Sequence, residues 1–261
     1  CNTASLLFNG NYVFIHDLAF LRFPRNFSRK FLYSYKLLIP IIYKKSIKVF
    51  TVSEFSKKEL NFFLGNKKIT VIPCGLTPFN TVDNLGVDTH IPYFLAVSSM
   101  SPHKNFPFLI SEFLKADIKG VKLKIVGGKN KVFSDHFGYL DSDRVEFLGR
   151  VSDKELSFLY SNALAFVFPS YYEGFGIPPL EAQLHHCPVI SSNAASLPEV
   201  LGDSALYVDP FEQGDLSQKI KKLFSSKELR DKLIVQGDEN IKRFDWSKSA
   251  DILIKELEKL S

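Results

Sequence analysis

Short runs of Val, Ile, Leu and Phe recur along the chain, separated by longer stretches in which apolar residues return every three or four positions. Runs of the first kind, buried on both faces, predict strands of a parallel sheet, and stretches of the second kind predict the helices that cover it. The first three runs are residues 12–16 (YVFIH), 48–53 (KVFTVS) and 69–73 (ITVIP). Between them the pattern predicts a helix over residues 27–46, stopped or kinked at Pro40, and a second one that Ser53 caps and EFSKKEL opens. Residues 78–90 are polar, turn-rich and weakly periodic, which predicts a linker. After it the pattern restarts, with strands over 93–97, 122–126, 145–148, 164–168, 188–191 and 205–208. Helices are predicted over 105–116, 153–162 (Ser152 as N-cap), 179–186 and 216–225. The alternation predicts an α/β chain whose parallel sheets are wound by right-handed crossovers, with ligands beyond the carboxyl ends of the strands.

At 261 residues the chain holds one large domain or two modest ones, at roughly 100–200 residues each. Its 45% hydrophobic and 23% charged residues exclude collagen-like, low-complexity and acidic disordered classes. Cys1, Cys74 and Cys187 are too few and scattered for a disulfide framework or a zinc site, which fits a reducing compartment. The best apolar run, residues 37–43, is far short of the ~20 residues of a transmembrane helix. The opening CNTASLLFNG lacks the pattern of a signal peptide, and its missing Met suggests that the natural chain starts upstream.

Charge changes the picture more than composition does. The net charge is +5, yet residues 1–80 carry twelve Lys and Arg against three Asp and Glu. No acidic residue lies between Asp17 and Glu54, where Arg22, Arg25, Arg29, Lys30, Lys36, Lys44, Lys45 and Lys48 are interleaved with Phe and Tyr. Any one of these lysines is explained by a solvated helix face, but the segment as a whole suits an anionic surface such as phospholipid headgroups or a phosphate-bearing substrate. No nucleic-acid recognition motif accompanies it.

The densest chemistry lies in FPSYYEGFGIPPLEAQLHHCPVISSN, residues 168–193. A strand runs into a loop where Gly174 and Gly176 allow close backbone approach, and Pro178-Pro179 open a helix whose free amides and dipole favour phosphate or sugar. Glu173 lies on the loop and Glu181 inside the helix. Eight helical residues span roughly 12 Å, more than the about 5–9.5 Å of a glycosidase pair. Glu181 is therefore read as an acceptor for a diol.

Glu173-Gly-Phe-Gly-Ile-Pro-Pro-Leu-Glu181-Ala resembles the Glu-x7-Glu signature of retaining nucleotide-sugar glycosyltransferases of family 4. Four further segments agree in order. They are Val97 to Asn105 (a phosphate-binding loop), Phe147 to Leu156 (a base-receiving loop containing Val151), Ser196 to Val200, and Phe244-Asp-Trp246. Ile15-His16-Asp17-Leu18 with Thr51-Val-Ser-Glu-Phe55 is similar to the second half of that family's N-terminal domain. The resemblance covers essentially the whole chain. It implies a GT-B architecture, divided here into an incomplete acceptor-side domain (1–80), a donor-binding domain (81–245) and a C-terminal helix (246–261). By the same resemblance Lys104 neutralises the donor diphosphate, and the backbone of Gly174, Phe175, Gly176 and Ile177 binds phosphate and sugar. Glu173 contacts sugar hydroxyls, Glu181 the ribose, and His16 reaches towards the transferred sugar. Many members carry an Arg that would fall on Ser98 or Ser99, and roughly another half domain upstream.

The remaining residues have plainer readings. His16 suits a satisfied core histidine as well as a site residue, His103 a loop surface, and His185 with His186 a helix end. Cys187 suits packing, Gly127-Gly128-Lys129 a turn or a phosphate contact, and Asp141-Ser142-Asp143 a turn rather than a metal pair. The expectation is a metal-independent retaining hexosyltransferase without cofactor, using a nucleotide sugar, with GDP-mannose as first choice. Its acceptor would be a saccharide or a polyprenyl-phosphate-linked one, in bacterial surface polysaccharide synthesis. Residues 22–48 would touch an anionic membrane from the cytoplasmic side. The rivals are a nucleotide-sugar epimerase of the same fold and a non-catalytic nucleotide-sugar-binding domain. A dehydrogenase is disfavoured, because no Gly-x-Gly-x-x-Gly follows an early strand.

Overall fold

The computed structural model describes residues 10–77, 90–127 and 142–259. Cys1, Gly128, Lys129, Asp141 and all of the predicted linker except His90 lie outside the described residues. Two parallel sheets organise the chain. The first has the order β1 (Tyr12–Phe14), β2 (Lys48–Thr51) and β3 (Ile69–Val71), with α1 (Ala19–Arg22) and α2 (Arg29–Lys45) between β1 and β2 and α3 (Glu54–Leu64) between β2 and β3. Ser28 caps α2 and Ser53 caps α3 through their hydroxyls. The helix predicted over 27–46 is there, and of the predicted stop or kink at Pro40 the stop is corrected, because α2 continues through it to Lys45. Proline inside a helix costs about 3 kcal/mol, but the segment around and beyond it buries Ile39, Ile42 and Tyr43 against the sheet. Burial of side chains that size, at about 1.5–3 kcal/mol each, outweighs the loss.

The second sheet contains β4 (Tyr93–Val97), β5 (Lys122–Val126), β6 (Val145–Gly149), β7 (Ala165–Phe168), β8 (Val189–Ser192) and β9 (Leu206–Val208), all parallel in the order β6-β5-β4-β7-β8-β9. It is covered by α4 (Phe106–Ala116), α5 (Asp153–Asn162), α6 (Ile177–Leu184), α7 (Leu197–Leu201), α8 (Asp215–Ser225) and α9 (Lys227–Ile241). Successive residues of each strand feed opposite faces, so Phe94 packs with Leu109, Phe113 and Ile220, whereas Tyr93 and Leu95 pack with Leu180 and Leu201. The strand order reverses between β4 and β7. Crossovers leaving these two strands turn to opposite sides, which leaves a crevice beyond their carboxyl ends.

The two units meet. Val52 belongs to the second core face, and Phe14, Cys74 and Leu76 pack on its edge. A last helix, α10 (Trp246–Glu258), returns to the first sheet. There the buried Lys48 pairs with Glu256, Thr70 Oγ1 donates to Glu256 at 3.0 Å, and Ser249 Oγ donates to the Pro73 carbonyl at 2.6 Å. Lys48 thus leaves the predicted basic surface, whereas Arg22 stays exposed with its guanidinium donating to both Glu59 oxygens at 2.8 and 2.7 Å. What remains exposed on α2 is Arg29, Lys30, Lys36, Lys44 and Lys45, with Tyr33 and Leu37 among them.

Candidate active site

Lys104 and Glu173 come from the two strands that flank the reversal. Beyond β4 the chain enters a tight turn, Pro102–Lys104, and Asn105 reverses it in a left-handed conformation (φ 61°) to start α4. The Asn105 amide holds that reversal by donating to the Pro210 carbonyl at 3.2 Å and accepting from the Tyr171 hydroxyl at 2.7 Å. The Lys104 ammonium then lies 2.6 Å from Glu173 Oε1 and 5.4 Å from the centre of the Phe168 ring. Their side chains are 15% and 12% exposed, so the pair is poorly solvated and each charge depends on the other. The buried Ser170 hydroxyl lies 2.6 Å from the same carboxylate oxygen, and Ser192 Oγ donates to the Ser170 carbonyl at 2.5 Å.

The glycine loop beside this pair has its carbonyls fixed from behind. Ser196 Oγ lies 2.9 Å from the carbonyls of Glu173 and Phe175, and Ser53 Oγ and Ser56 Oγ lie 2.6 and 3.1 Å from that of Gly174. A trans peptide points its N–H opposite to its C=O, so these contacts aim the amides of Gly174, Phe175 and Gly176 the other way. Those amides, and that of Ile177 at the start of α6, have no hydrogen-bond partner among the described residues. Gly176 adopts φ 102°, and a Cβ there would lie 2.7 Å from Leu197. A Cβ on Gly174 would lie 2.9 Å from the Asp17 side chain, so the end of the first sheet rests directly on the loop.

The other predicted residues are placed less uniformly. The Phe175 side chain is buried edge-on to Phe244 at 5.5 Å, leaving only its backbone for a ligand. Glu181 lies one turn into α6, where its carboxylate accepts from the Tyr160 hydroxyl of α5 at 3.2 Å. Burial raises the Glu181 pKa, and the Tyr160 hydrogen bond opposes the rise. Val151 follows β6 and packs at the edge of the same core. His16 follows β1 with its ring 5.8 Å from Phe14, and its carbonyl faces Gly174. Packing lowers the His16 pKa, with Asp17 opposing. Ser142 and Asp143 form a turn at the amino end of β6, where the Val145 amide donates to the Ser142 carbonyl at 3.0 Å.

His103 corrects the reading as loop surface. Its ring stacks on Phe23 at 5.8 Å, and its Nδ1 lies 3.1 Å from Asn26 Nδ2, so it sits in the seam between the units. Burial, with Lys104 beside it, pushes its pKa down to about 4. Tyr172 plugs the same seam, between Phe23 and Phe55, and its hydroxyl accepts from the Leu18 amide at 3.3 Å. Sequence reading missed the roles of Ser170, Ser196, Ser56 and Glu199. The last two couple the units, because Glu199 accepts from the amides of Glu54 and Phe55 at 2.7 and 3.0 Å. The available signal was that these residues fall in or beside family-like segments.

Amides without a partner among the described residues, a helix N-terminus and a lysine at a strand-order reversal suit an oxyanion of phosphate type. The whole defines an α/β fold of the GT-B type, which solved structures share. Sucrose-phosphate synthase from Thermosynechococcus elongatus superposes with a TM-score of 0.80 at 22% identity, over 95% of this chain and 67% of that one. Anabaena HepE, solved with UDP and glucose, gives 0.75 at 19% identity, over 95% and 71%. A model of the family described as glycosyl transferases group 1 matches residues 77–240, more than half of the chain, and the chain belongs to that family. Among curated relatives, the O-antigen chain mannosyltransferase RfbU of Salmonella typhimurium is 34% identical over 223 residues, covering 83% of this chain and 62% of the relative. O-antigen chain mannosyltransferase B of Escherichia coli is 29% identical over 216 residues, covering 76% and 57%. The chain thus spans about 60% of the length of these relatives.

Proposed function

We propose that the chain acts as a retaining glycosyltransferase that takes a nucleotide sugar, GDP-mannose first, into the β4–β7 crevice. It transfers the hexose to a saccharide or polyprenyl-phosphate-linked acceptor in surface polysaccharide synthesis. The observation that carries this reading is the Lys104–Glu173 pair beside the amides of Gly174 to Ile177, which have no hydrogen-bond partner among the described residues. On donor binding, Lys104 exchanges the Glu173 carboxylate for the diphosphate, and Glu173 turns to the sugar hydroxyls. The amides at the start of α6 take phosphate and sugar oxygens, Glu181 takes the ribose, the loop at Val151 receives the base, and His16 approaches the sugar from the first sheet. Lys104 and the α6 N-terminus supply the positive charge that the leaving diphosphate needs, without a metal ion or cofactor. The mannosyltransferase relatives named above favour mannose.

The exposed surface of α2 carries five cations and two large apolar side chains, which suits peripheral contact with an anionic membrane at its cytoplasmic face. Among the described residues no helix is long and apolar enough to cross a membrane. The test is a thermal-shift panel of GDP-mannose, UDP-glucose and a dTDP-sugar in EDTA. A bound donor at a hundred times its Kd stabilises the native state by about 2.7 kcal/mol. GDP-mannose is expected to give the largest shift, and a flat response to all three would overturn the reading. The anomeric configuration of the product, read by NMR, tests retention.

A further inference from the structure

The N-terminus of α3 is fully used, and mostly by the other unit. Of its first three amides, that of Ser56 is capped locally by Ser53 Oγ at 3.0 Å, while those of Glu54 and Phe55 donate to the carboxylate of Glu199. Glu199 lies on α7, and Arg243 donates to its carbonyl at 3.1 Å and to that of Val200 at 3.3 Å. The same helix end carries two completely buried hydroxyls, Ser53 and Ser56, and both face the Gly174 carbonyl. Ser53 has a capping task that explains it. Ser56 has none, and its described side-chain contact is with that carbonyl.

We infer that Ser56 and Glu199 are positioning residues for the donor: Glu199 holds the first turn of α3 against the glycine loop, and Ser56, with Ser53, keeps the Gly174 carbonyl out of the crevice. The Gly174–Phe175 peptide has a glycine on one side, so its rotation is weakly restrained by its own side chains. Without the grip, rotation would present a carbonyl where the Phe175 amide now faces, replacing a donor with an acceptor in front of a phosphate. Donor affinity thereby depends on residues of the first sheet unit that touch no donor atom. The inference rests on the donor reading above.

The experiment compares wild type, S56A, S56T, E199Q and the S56A/E199Q double variant by calorimetric titration with GDP and with UDP, beside their thermal unfolding. Alanine is the better helix former, so S56A should unfold at nearly the wild-type temperature. Its Kd for the nucleotide that wild type binds should rise about 3–10-fold, the worth of roughly one hydrogen bond. S56T, which keeps the hydroxyl, should restore binding, and the double variant should bind more weakly still. If wild type binds and the variants bind equally well, or lose thermal stability without losing affinity, this inference alone is overturned. If wild type binds neither nucleotide, the donor reading fails and takes the inference with it.

Discussion

The two sheets are built from the same repeating unit, a short apolar strand followed by a helix, yet only one reverses its order. In the first, β1, β2 and β3 lie side by side in chain order. In the second, β4, β5 and β6 grow one way and β7, β8 and β9 the other. The reversal makes a crevice, and the paired side chains proposed to act there, Lys104 and Glu173, follow the two strands that bound it. The described part of the first sheet has no such reversal. Its strand ends and the N-terminus of α3 instead press on the glycine loop of the other unit. Parallel strands alone do not make a site. One sheet forms the crevice and the other sets the shape of its wall.

Variants can break this division of labour. The largest effect is expected for Glu173→Ala, which should lower transfer by about 10²–10³-fold or more, the range for losing one group that stabilises developing charge. The same variant should bind the free nucleoside diphosphate as tightly as wild type or more tightly, because Lys104 loses the carboxylate competing for it. Steady-state transfer and calorimetry together check this, and a parallel fall in both would refute the exchange. Lys104→Met should weaken diphosphate binding about 10–100-fold, as expected for a charge-assisted hydrogen bond.

Two glycines separate the units by stability. Gly176→Ala places a side chain at φ 102° and 2.7 Å from Leu197, strain inside the second unit. Its expected cost is about 1–3 kcal/mol, read by urea unfolding. Gly174→Ala meets Asp17 across the seam, so donor affinity should fall with a smaller loss of stability.

The seam should also sense pH. The His103 pKa is pushed down to about 4 by burial, whereas an unfolded histidine titrates near about 6.5. Above that value both states are neutral. Below it the unfolded chain takes up the proton first, so stability is lost as pH falls from about 6.5 towards 4, by less than about 1.4 kcal/mol per pH unit. His103→Phe should flatten that slope in unfolding measured between pH 7.5 and 5. The smallest effect is expected for Lys227→Ala. Its pair with Asp231 on α9 is exposed, and its loss should change stability by no more than about 0.5 kcal/mol.

The sequence by itself determined the nine strands of the described residues, most of their helices, the caps at Ser53 and Ser152, and the loop that carries the glycines. Each of these depends on apolar period or on backbone chemistry within a few residues. Helix α9 escaped prediction because its buried stripe is Leu233, Gly237 and Asn240, which has little apolar period. The course of α2 through Pro40 and the burial of His103 were decided by packing against distant segments. So was the use of Ser56 and Glu199, whose partners lie 118 and 145 residues away in the chain. A serine hydroxyl or a surface carboxylate can serve water, its own helix or a remote carbonyl or amide at similar local cost. Only the docking of the two sheets selects among them.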